Sequence, residues 1–397
     1  MNYINVLEIT SSEVKLLTGY FFENNIYVLN ACESSEAHLE CSKVVDEEKL
    51  IKVINELVKN NSEKLNIPIE EIYLGLNPRH LVVFKATDSD FNNNTNGRVS
   101  INSAANLTTK VARQGKQKYP DLDLISVSTD YYLINGCKYD FFPTDYEKSA
   151  DSIYCEATCE MTDKDYINTF KNLLSKCQVR LVGTFSLLTC ATRFIQSCDV
   201  NLKNYLYLDL NKCESSVAAV YHGQIINSSV FSFGTNDVIK ALMDKYNISF
   251  ERASDLLYTF GLQNNPGFDY QTEEGLTLQE INDTISETYK YLFSSISSFL
   301  SVTNQKNECG QLIVISGPES SIINLDSLIS HFFKTKLLTF NPRNFGARNP
   351  RYTNLLSMIF YQAKIYVSKG DRPIDLTITR TGDIATEFGK KFIDEKL

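Results

Sequence analysis

The sequence predicts an α/β protein made of two similar halves, one of which carries an inserted subdomain. Strand-like and helix-like segments alternate along most of the 397 residues. A short pattern near the start, LEITSS at 7–12, returns 201 residues later as LDLNKC at 208–213. Between the two copies, the polar stretch FNNNTNG at 91–97 separates two regular regions. The repeat predicts a duplicated architecture, and the polar stretch marks an extra subdomain.

The first half opens with strands and a long helix. Alternation of residue types from Val6 to Leu17 predicts strands, and a second extended run, IYVLNACE, follows. Asp46 suits the N-cap of a helix that continues to about Leu65. The apolar stripe of that helix recurs at helical spacing and consists of Leu50, Ile51, Ile54, Leu57 and Val58. A buried strand, IYLGL at 72–76, then leads to the insert.

The insert is predicted as an α/β layer over about 80–160. Its dipeptide Asn135-Gly136 lies between extended runs and suits the positive φ angles of a tight hairpin turn. Cys155 and Cys159 alternate with polar residues, so they share one face of a strand as buried, reduced thiols.

Capping signals mark the starts of helices after the insert. Thr162 with Asp165 has the spacing of a capping box, Thr235 suits a cap, and Thr277 with Glu280 predicts the start of a long helix.

The predicted units are a first lobe at 1–79 and 161–205, the insert at 80–160, a second lobe at 206–235 and 310–367, a helical subdomain at 236–309, and a linker with a C-terminal segment at 368–397.

Composition excludes several classes of function. The formal net charge is −9 and lysines and arginines form no stripe, so we expect no nucleic-acid partner. No apolar run approaches the roughly 18 residues that span a bilayer, and the start lacks a signal peptide, so we expect a cytosolic protein. The ten cysteines are scattered without a C-x-x-C pair, which argues against a metal site.

The repeated pattern places one carboxylate, Glu8 or Asp209, among apolar strand positions in each half. A buried carboxylate is costly unless it pairs or meets a cation. Two facing hairpins could therefore clamp a phosphate chain with Mg²⁺, although both turns lack the glycines that let a backbone approach phosphate. The alternative is that both acids are satisfied by neighbouring side chains or turn amides.

Several segments in order resemble the actin-like superfamily and, within it, the bacterial cell-division protein FtsA. They are LEITSSEVKLL at 7–17, the insert at 80–160, the segment from VFSFGT to LLYTFG at 230–261, LIVISGPESSI at 312–322 and NPRNFGARNPRYTNLLSMIFYQAK at 341–364. The resemblance covers nearly the whole chain. It implies the duplicated, ribonuclease H-like two-lobed fold with the inserted subdomain of the FtsA type.

The resemblance also implies ATP with Mg²⁺ as the ligand. The implied binding residues are Glu8, Thr10, Ser11 and Ser12 in the first turn, Asp209, Asn211, Lys212 and Ser215 in the second, and Ser316 and Gly317 in the third. Glycines of the family are replaced here by Thr10, Asn211, Lys212 and Cys213. Ser254 and Leu257 stand at the family's acid and lysine positions near the ribose. These departures argue against nucleotide binding.

FtsA proteins are adaptors, which implies partners for this chain. They assemble into filaments, hold the tail peptide of the tubulin-like protein FtsZ on a helical subdomain, and contact the cytoplasmic face of the membrane through a C-terminal helix. We therefore expect a peripheral membrane position at the division site. In the helical subdomain, Ser286, Glu287 and Thr288 stand where the resemblance implies a basic residue.

The C-terminal segment offers Ile384, Phe388 and Phe392 as membrane-contact residues, since they recur at i, i+4 and i+8. Its charges nearly cancel, unlike those of a basic membrane anchor. The alternatives for this segment are a disordered end or a helix docked on the body of the protein.

Three functions remain open at this point. The first is the division adaptor, with at most weak ATPase activity, because no motif identifies a base that would activate water. The second is a small-molecule phosphotransferase of the actin fold, which would require intact glycine-rich loops. The third is a related actin-like scaffold of the pilus-assembly type.

Overall fold

The computed structural model describes residues 3–23, 25–40, 43–77, 81–91, 101–139, 150, 152–263, 271–369 and 372–375. The first part of the chain contains β1 (Ile4–Ile9), β2 (Val14–Phe22), β3 (Asn25–Ser34), β4 (Leu39–Glu40), β5 (Lys43–Val44), α1 (Glu47–Leu65), β6 (Glu71–Leu76), β7 (Val82–Phe91), α2 (Ile101–Lys118), β8 (Leu122–Ile134), β9 (Cys137–Tyr139), β10 (Ser152–Asp163), α3 (Lys164–Ser175), β11 (Arg180–Ser186) and α4 (Leu187–Cys198).

The second part contains β12 (Tyr205–Leu210), β13 (Ser215–Tyr221), β14 (Gln224–Phe231), α5 (Thr235–Tyr246), α6 (Phe250–Thr259), α7 (Leu278–Val302), α8 (Lys306–Cys309), β15 (Leu312–Ser316), α9 (Leu325–Phe333), β16 (Lys336–Thr339), α10 (Thr353–Ile365), β17 (Tyr366–Lys369) and β18 (Arg372–Asp375). Short 3-10 helices at Pro318–Ser321 and Pro350–Tyr352 precede α9 and α10.

Two five-stranded sheets with the same pattern form the two lobes. The first has the order β11-β6-β1-β2-β3 and the second has the order β14-β13-β12-β15-β16. In each, the central strand pairs antiparallel with the strand that follows it and parallel with a strand from later in the chain. The predicted duplicated, two-lobed α/β fold is therefore confirmed.

Two helices lie between the sheets and join the lobes. One hydrophobic core contains apolar side chains of β1, β12, α4 and α10, among them Val6, Tyr207, Ala191 and Leu355. A second core lies under α1 and α3 against the first sheet, and a third joins the second sheet to α5, α6 and α7. Because α10 packs between the sheets, its first turn reaches the ends of both central strands.

The insert is a separate four-stranded layer with the strand order β7-β10-β8-β9, and α2 packs on it. Its β8–β9 hairpin turns at Asn135 and Gly136, whose φ angles are 51° and 77°. Positive φ at both residues is what a two-residue hairpin turn of type I′ requires. Cys155 and Cys159 are buried on β10, as predicted.

Two predicted helix starts are wrong, and two are confirmed. Thr162 does not open α3, because β10 continues through it and pairs it with Asp123 of β8. Gly234, rather than Thr235, is the N-cap of α5, and its N–H donates to Asp237 Oδ2. Asp46 caps α1 and accepts from Lys49 N, while Thr277 and Glu280 form the reciprocal capping box of α7.

The chain after α10 begins with the antiparallel pair β17 and β18. The membrane-contact residues predicted at 384, 388 and 392 lie outside the described residues, as does most of the stretch 91–97. Among the helices that the structure describes, none is both long and apolar enough to cross a bilayer.

Candidate functional site

The two repeated hairpins meet between the lobes and have the same backbone geometry. In the first turn, Thr10 N donates to Glu13 O over 2.9 Å, and in the second, Asn211 N donates to Glu214 O over 3.2 Å. The acid of each hairpin lies opposite a residue of the next strand, so that Glu8 faces Lys15 and Asp209 faces Ser216. The spacing of 201 residues is thus preserved in the hydrogen bonding of both turns.

A lysine neutralises the acids of the first hairpin. Lys15 is 2% exposed, and its Nζ lies 2.8 Å from Glu8 Oε2 and 2.9 Å from Glu13 Oε1. Lys15 Nζ also donates to Arg351 O over 3.0 Å. Burial lowers the pKa of Lys15, but the two carboxylates more than offset this and raise the pKa well above its ordinary value. Lys15 is therefore held as a cation inside the protein.

Arg351 extends this ion-pair network toward the surface. Its Nη2 lies 3.0 Å from Glu13 Oε2 and 2.8 Å from Glu33 Oε2. Burial raises the pKa of Glu13, but Lys15 and Arg351 outweigh burial and leave the pKa below its ordinary value. Glu13 thus favours its ionised form, and both carboxylates of the first hairpin pair with cations of the same chain.

An asparagine bridges the two hairpins. Asn354 lies in the first turn of α10, and its Nδ2 donates to Glu8 Oε1 over 2.7 Å and to Asp209 Oδ2 over 3.2 Å. Asn211 Nδ2 donates to the same oxygen of Asp209 over 3.2 Å. Burial, and then the nearby charge of Glu8, raise the pKa of Asp209. One buried side chain therefore links an acid of each lobe.

The third loop packs directly on the second hairpin. Gly317 has φ +90°, and a Cβ there would lie 2.4 Å from Leu210 O and 2.5 Å from Asp209 Oδ1. Asp209 Oδ1 accepts no hydrogen bond from the described residues, since the glycine backbone lies against it. Ser316 Oγ is 2.8 Å from Thr353 Oγ1. The glycine at 317 is thus required for close packing around Asp209.

The predicted binding residues in the turns bond largely to one another. The Thr10 hydroxyl accepts from the N–H groups of Ser12 and Glu13, and it lies 3.2 Å from Ser12 Oγ. Ser11 Oγ is buried without a hydrogen bond among the described residues. These amide groups of the first turn are therefore not directed at a ligand.

The second turn is closed by the start of α5. Carbonyl oxygens of Asn211 and Lys212 accept from Thr235 N and Asn236 N. A Cβ on Gly234 would lie 2.3 Å from the carbonyl of Lys212, so only glycine fits there. Ser215 Oγ donates to Phe233 O and thus faces the neighbouring strand. The structure places Asn211 beside Asp209 but turns Ser215 away.

Leu257, which stands at one of the positions implied to lie near a ribose, is fully buried in the core of the second lobe. The next residue, Tyr258, donates its hydroxyl to Glu319 Oε2 over 2.7 Å, and burial raises the pKa of Glu319. This contact closes α6 onto the loop that follows Gly317.

Sequence reasoning missed Lys15, Glu13, Arg351 and Asn354. The signal for Lys15 was present, because a cation alternates with apolar residues in VKLL at 14–17 just after an acid at a buried position. Arg351 and Asn354 lie more than 330 residues from the hairpin that they contact. Nothing in one sequence indicates such distant pairing.

This arrangement does not fit a bound Mg²⁺ and triphosphate. A phosphate site needs unbonded N–H groups, close backbone approach and carboxylates available to the ion. Here Lys15 lies among the carboxylates, and the turn amides bond to Thr10. In the described part of the chain, no group of three His, Cys, Asp or Glu side chains is placed to hold a metal. The buried polar contacts of this site instead join the two lobes.

No family model matches the sequence. In sequence, the chain is 20% identical over 378 residues to the cell division protein FtsA of Enterococcus hirae, which covers 90% of this chain and 83% of that protein.

Solved structures extend the comparison. The PilM-PilN type IV pilus biogenesis complex is similar with a TM-score of 0.61 at 12% identity, covering 90% of this chain and 98% of that chain. MreB5 of Spiroplasma citri bound to ADP has a TM-score of 0.52 at 11% identity, covering 92% and 97%. The fold is therefore actin-like, and in sequence the chain is similar to FtsA at 20% identity.

Proposed function

We propose that this FtsA-like chain is an actin-fold scaffold that acts as an adaptor in cell division and does not depend on nucleotide turnover. The observation that carries this proposal is the interlobe site, where Lys15 and Asn354 occupy the carboxylates that a nucleotide-bound Mg²⁺ would need. A scaffold requires a fixed shape, and this network supplies one. The similarity to FtsA along 90% of the chain supports the place of that scaffold in division.

In this proposal the helical subdomain holds the tail peptide of FtsZ, the protein assembles into filaments, and the chain stays at the inner face of the membrane at the division site. The C-terminal residues Ile384, Phe388 and Phe392 would contact lipid. One short segment binds lipid weakly, so filament avidity would hold the assembly on the membrane.

The positive charge for an acidic tail peptide would come from α5 rather than α7. Ser286, Glu287 and Thr288 offer no cation, but Lys245 reaches across to α7 and donates to Thr284 Oγ1 over 2.9 Å. That partner is neutral, and Lys245 is exposed. The nearby Glu280 compensates part of its charge, and a carboxylate of the peptide would compete for the rest. In this proposal Lys245 supplies the positive charge that the resemblance implies for the segment 286–288 of α7.

Calorimetric titration tests both parts of the proposal. We expect heat on addition of an FtsZ tail peptide and none on addition of ATP with Mg²⁺. Lys245→Glu should weaken peptide binding about tenfold, which corresponds to about 1.4 kcal/mol. Lys240→Glu on the same helix makes the same charge change and should leave the affinity within about twofold.

ATP heat that disappears in an Asp209→Ala variant would overturn the nucleotide-independent scaffold. It would also revive the phosphotransferase alternative, which ATP turnover with a small-molecule acceptor would then establish. Absence of peptide heat in the wild-type protein would remove the FtsZ adaptor role and leave the actin-fold scaffold.

A pilus-assembly scaffold is the second candidate, because the PilM-PilN complex gives a TM-score of 0.61 over 98% of its chain. The same titration with a PilN-type peptide distinguishes the candidates. Binding of that peptide without binding of the FtsZ tail would reverse their order.

A further inference from the structure

A large groove lies beside the two helices that join the lobes. Its volume is about 1380 Å³, and its walls come from β2, β3, the second half of α4 and the segment 338–348. Phe194 and Phe360 form an aromatic floor, with ring centroids 5.6 Å apart. We call this feature the lateral groove. It lies away from the buried contacts of Lys15 and Asn354.

The lateral groove exposes apolar surface that is typical of a binding surface. Phe345 is 85% exposed and Tyr27 is 42% exposed. Arg348 lies over the Phe345 ring at 5.8 Å, and Arg343 also lines the groove. Contiguous exposed aromatic surface with a charged rim marks interaction sites in soluble proteins. The groove therefore suits an apolar segment that also carries carboxylates.

The chain after α10 starts next to this groove. Phe360 is in α10, which ends five residues later, or about 8 Å along the helix axis. Strand β17 leaves the helix and β18 returns, so that Asp375 pairs with Tyr366. The residues after Asp375 therefore begin beside the end of α10. Nine further residues span up to about 30 Å when extended, which is enough to bring Ile384 to the groove.

The chemistry of residues 376–397 matches the lateral groove better than it matches an anionic membrane. Ile384, Phe388 and Phe392 are apolar, and Asp383 and Glu387 could pair with the arginines of the rim. Acidic and basic side chains are equal in number in this segment. Binding to anionic lipid is favoured by an excess of basic residues, which this segment lacks.

We propose that residues 376–397 dock in the lateral groove of the same molecule, with Ile384, Phe388 and Phe392 on its aromatic surface. Docking occupies the side chains that the adaptor proposal assigns to lipid, so docking and lipid contact through these side chains exclude each other in one molecule. The docking itself does not depend on the identity of the division partner.

A tryptophan probe tests the docking in the full-length chain, which contains no natural tryptophan. We expect the emission of Phe388→Trp to be blue-shifted relative to the synthetic peptide 376–397 with the same substitution. Phe345→Ser removes an exposed groove residue and should shift the emission back toward that of the peptide. Val302→Ser removes an apolar residue of similar exposure, 78%, from the end of α7 and should change nothing.

A disulfide trap locates the segment independently. Cys198 is exposed and lines the lateral groove, whereas the exposed Cys137 lies on the insert. Under mild oxidation, Phe388→Cys should form an intramolecular disulfide with Cys198, which mass spectrometry of the digested protein identifies. Cys198→Ser should abolish this product, and Cys137→Ser should leave it intact.

Three results would overturn the proposal. The first is probe emission identical to that of the peptide, with a blue shift that appears only on addition of phosphatidylglycerol vesicles. The second is a disulfide that forms equally with Cys137. The third is a product of twice the chain mass, which would show that a second copy, and not the same molecule, receives the segment.

Discussion

The two hairpins between the lobes share a backbone geometry but surround their acids with different groups. In the first, Lys15 lies between Glu8 and Glu13. In the second, the residue equivalent to Lys15 is Ser216, and an amide takes the place of the cation. Asn77 Nδ2 donates to Ser216 Oγ over 2.5 Å and to Glu214 Oε1 over 3.3 Å.

This difference has an electrostatic consequence. The first hairpin lowers the pKa of Glu13, whereas the second leaves Asp209 with a raised pKa and one oxygen without a hydrogen bond among the described residues. The duplicated backbone therefore keeps a carboxylate at the position of Glu8 and Asp209 but surrounds it with different groups in the two hairpins. Asn354 donates a hydrogen bond to Glu8 and to Asp209 and so connects the two hairpins.

The largest effect should follow from making the first hairpin like the second with Lys15→Ser. This change leaves Glu8 and Glu13 buried without their shared cation, and breaking a buried ion pair costs about 3 to 5 kcal/mol. We expect that loss in the free energy of unfolding by guanidinium. Adding Glu8→Gln should recover part of it, because Glu8 is then neutral, while Glu13 still pairs with Arg351.

Ser216→Ala, the matched change in the second hairpin, should cost about 1 kcal/mol, since only a neutral hydrogen bond is lost. Equal losses for Lys15→Ser and Ser216→Ala would show that the lysine does not stabilise the acids as described.

The next largest effect concerns the link between the hairpins. Asn354→Ala removes two hydrogen bonds to buried carboxylates, each with a charged or partly charged acceptor, and should lower the free energy of unfolding by about 2 to 3 kcal/mol. Asn344→Ala is the control, because Asn344 makes a single bond of 3.2 Å to Ile26 O. Thermal unfolding of both variants measures the difference. A loss no greater than that of Asn344→Ala would exclude a structural role for the bridge.

A third prediction uses the raised pKa of Asp209. A carboxyl whose pKa is higher in the folded state binds its proton more firmly there than in the unfolded chain. The free energy of unfolding therefore falls as pH rises from the ordinary pKa of a carboxyl group toward the raised pKa of Asp209. Asp209→Asn removes this loss, so the variant should be more stable than the parent at pH 7, by on the order of 1 kcal/mol. The advantage should vanish as pH falls to about 4.

Glu13→Gln should behave in the opposite sense. The pKa of Glu13 is lowered, so its contribution is present above the ordinary carboxyl pKa and is lost as pH falls. Glu13→Gln should accordingly be less stable than the parent at pH 7 and approach it in acid. The stability of both variants relative to the parent is measured from unfolding curves between pH 4 and 7. If both differences changed in the same direction with pH, the contrast between the hairpins would be contradicted.

The comparison also shows what a single sequence reveals. The segments LEITSS and LDLNKC predict the duplication, because the alternation of residues in a strand and the polar turn that follows it are local features of the sequence. The start of α3 was misplaced since Thr162 has the composition of a cap but is held in β10 by pairing with β8. The two acids were identified from their apolar neighbours. Their partner Asn354 was not, because its contacts arise only when α10 packs between the sheets.

The smallest expected effect distinguishes the turns themselves. The Thr10 hydroxyl accepts from Glu13 N over 3.1 Å and donates to Glu13 O over 3.0 Å, so it closes the first turn from within. Thr10→Ala should lower the free energy of unfolding by about 1 kcal/mol, whereas Thr10→Ser retains the hydroxyl and should stay within about 0.5 kcal/mol of the parent. Because Lys15 still neutralises Glu8 in both variants, neither should gain heat on titration with ATP. If Thr10→Ala bound ATP, the threonine hydroxyl, and not the buried lysine, would be what keeps phosphate out of the first hairpin.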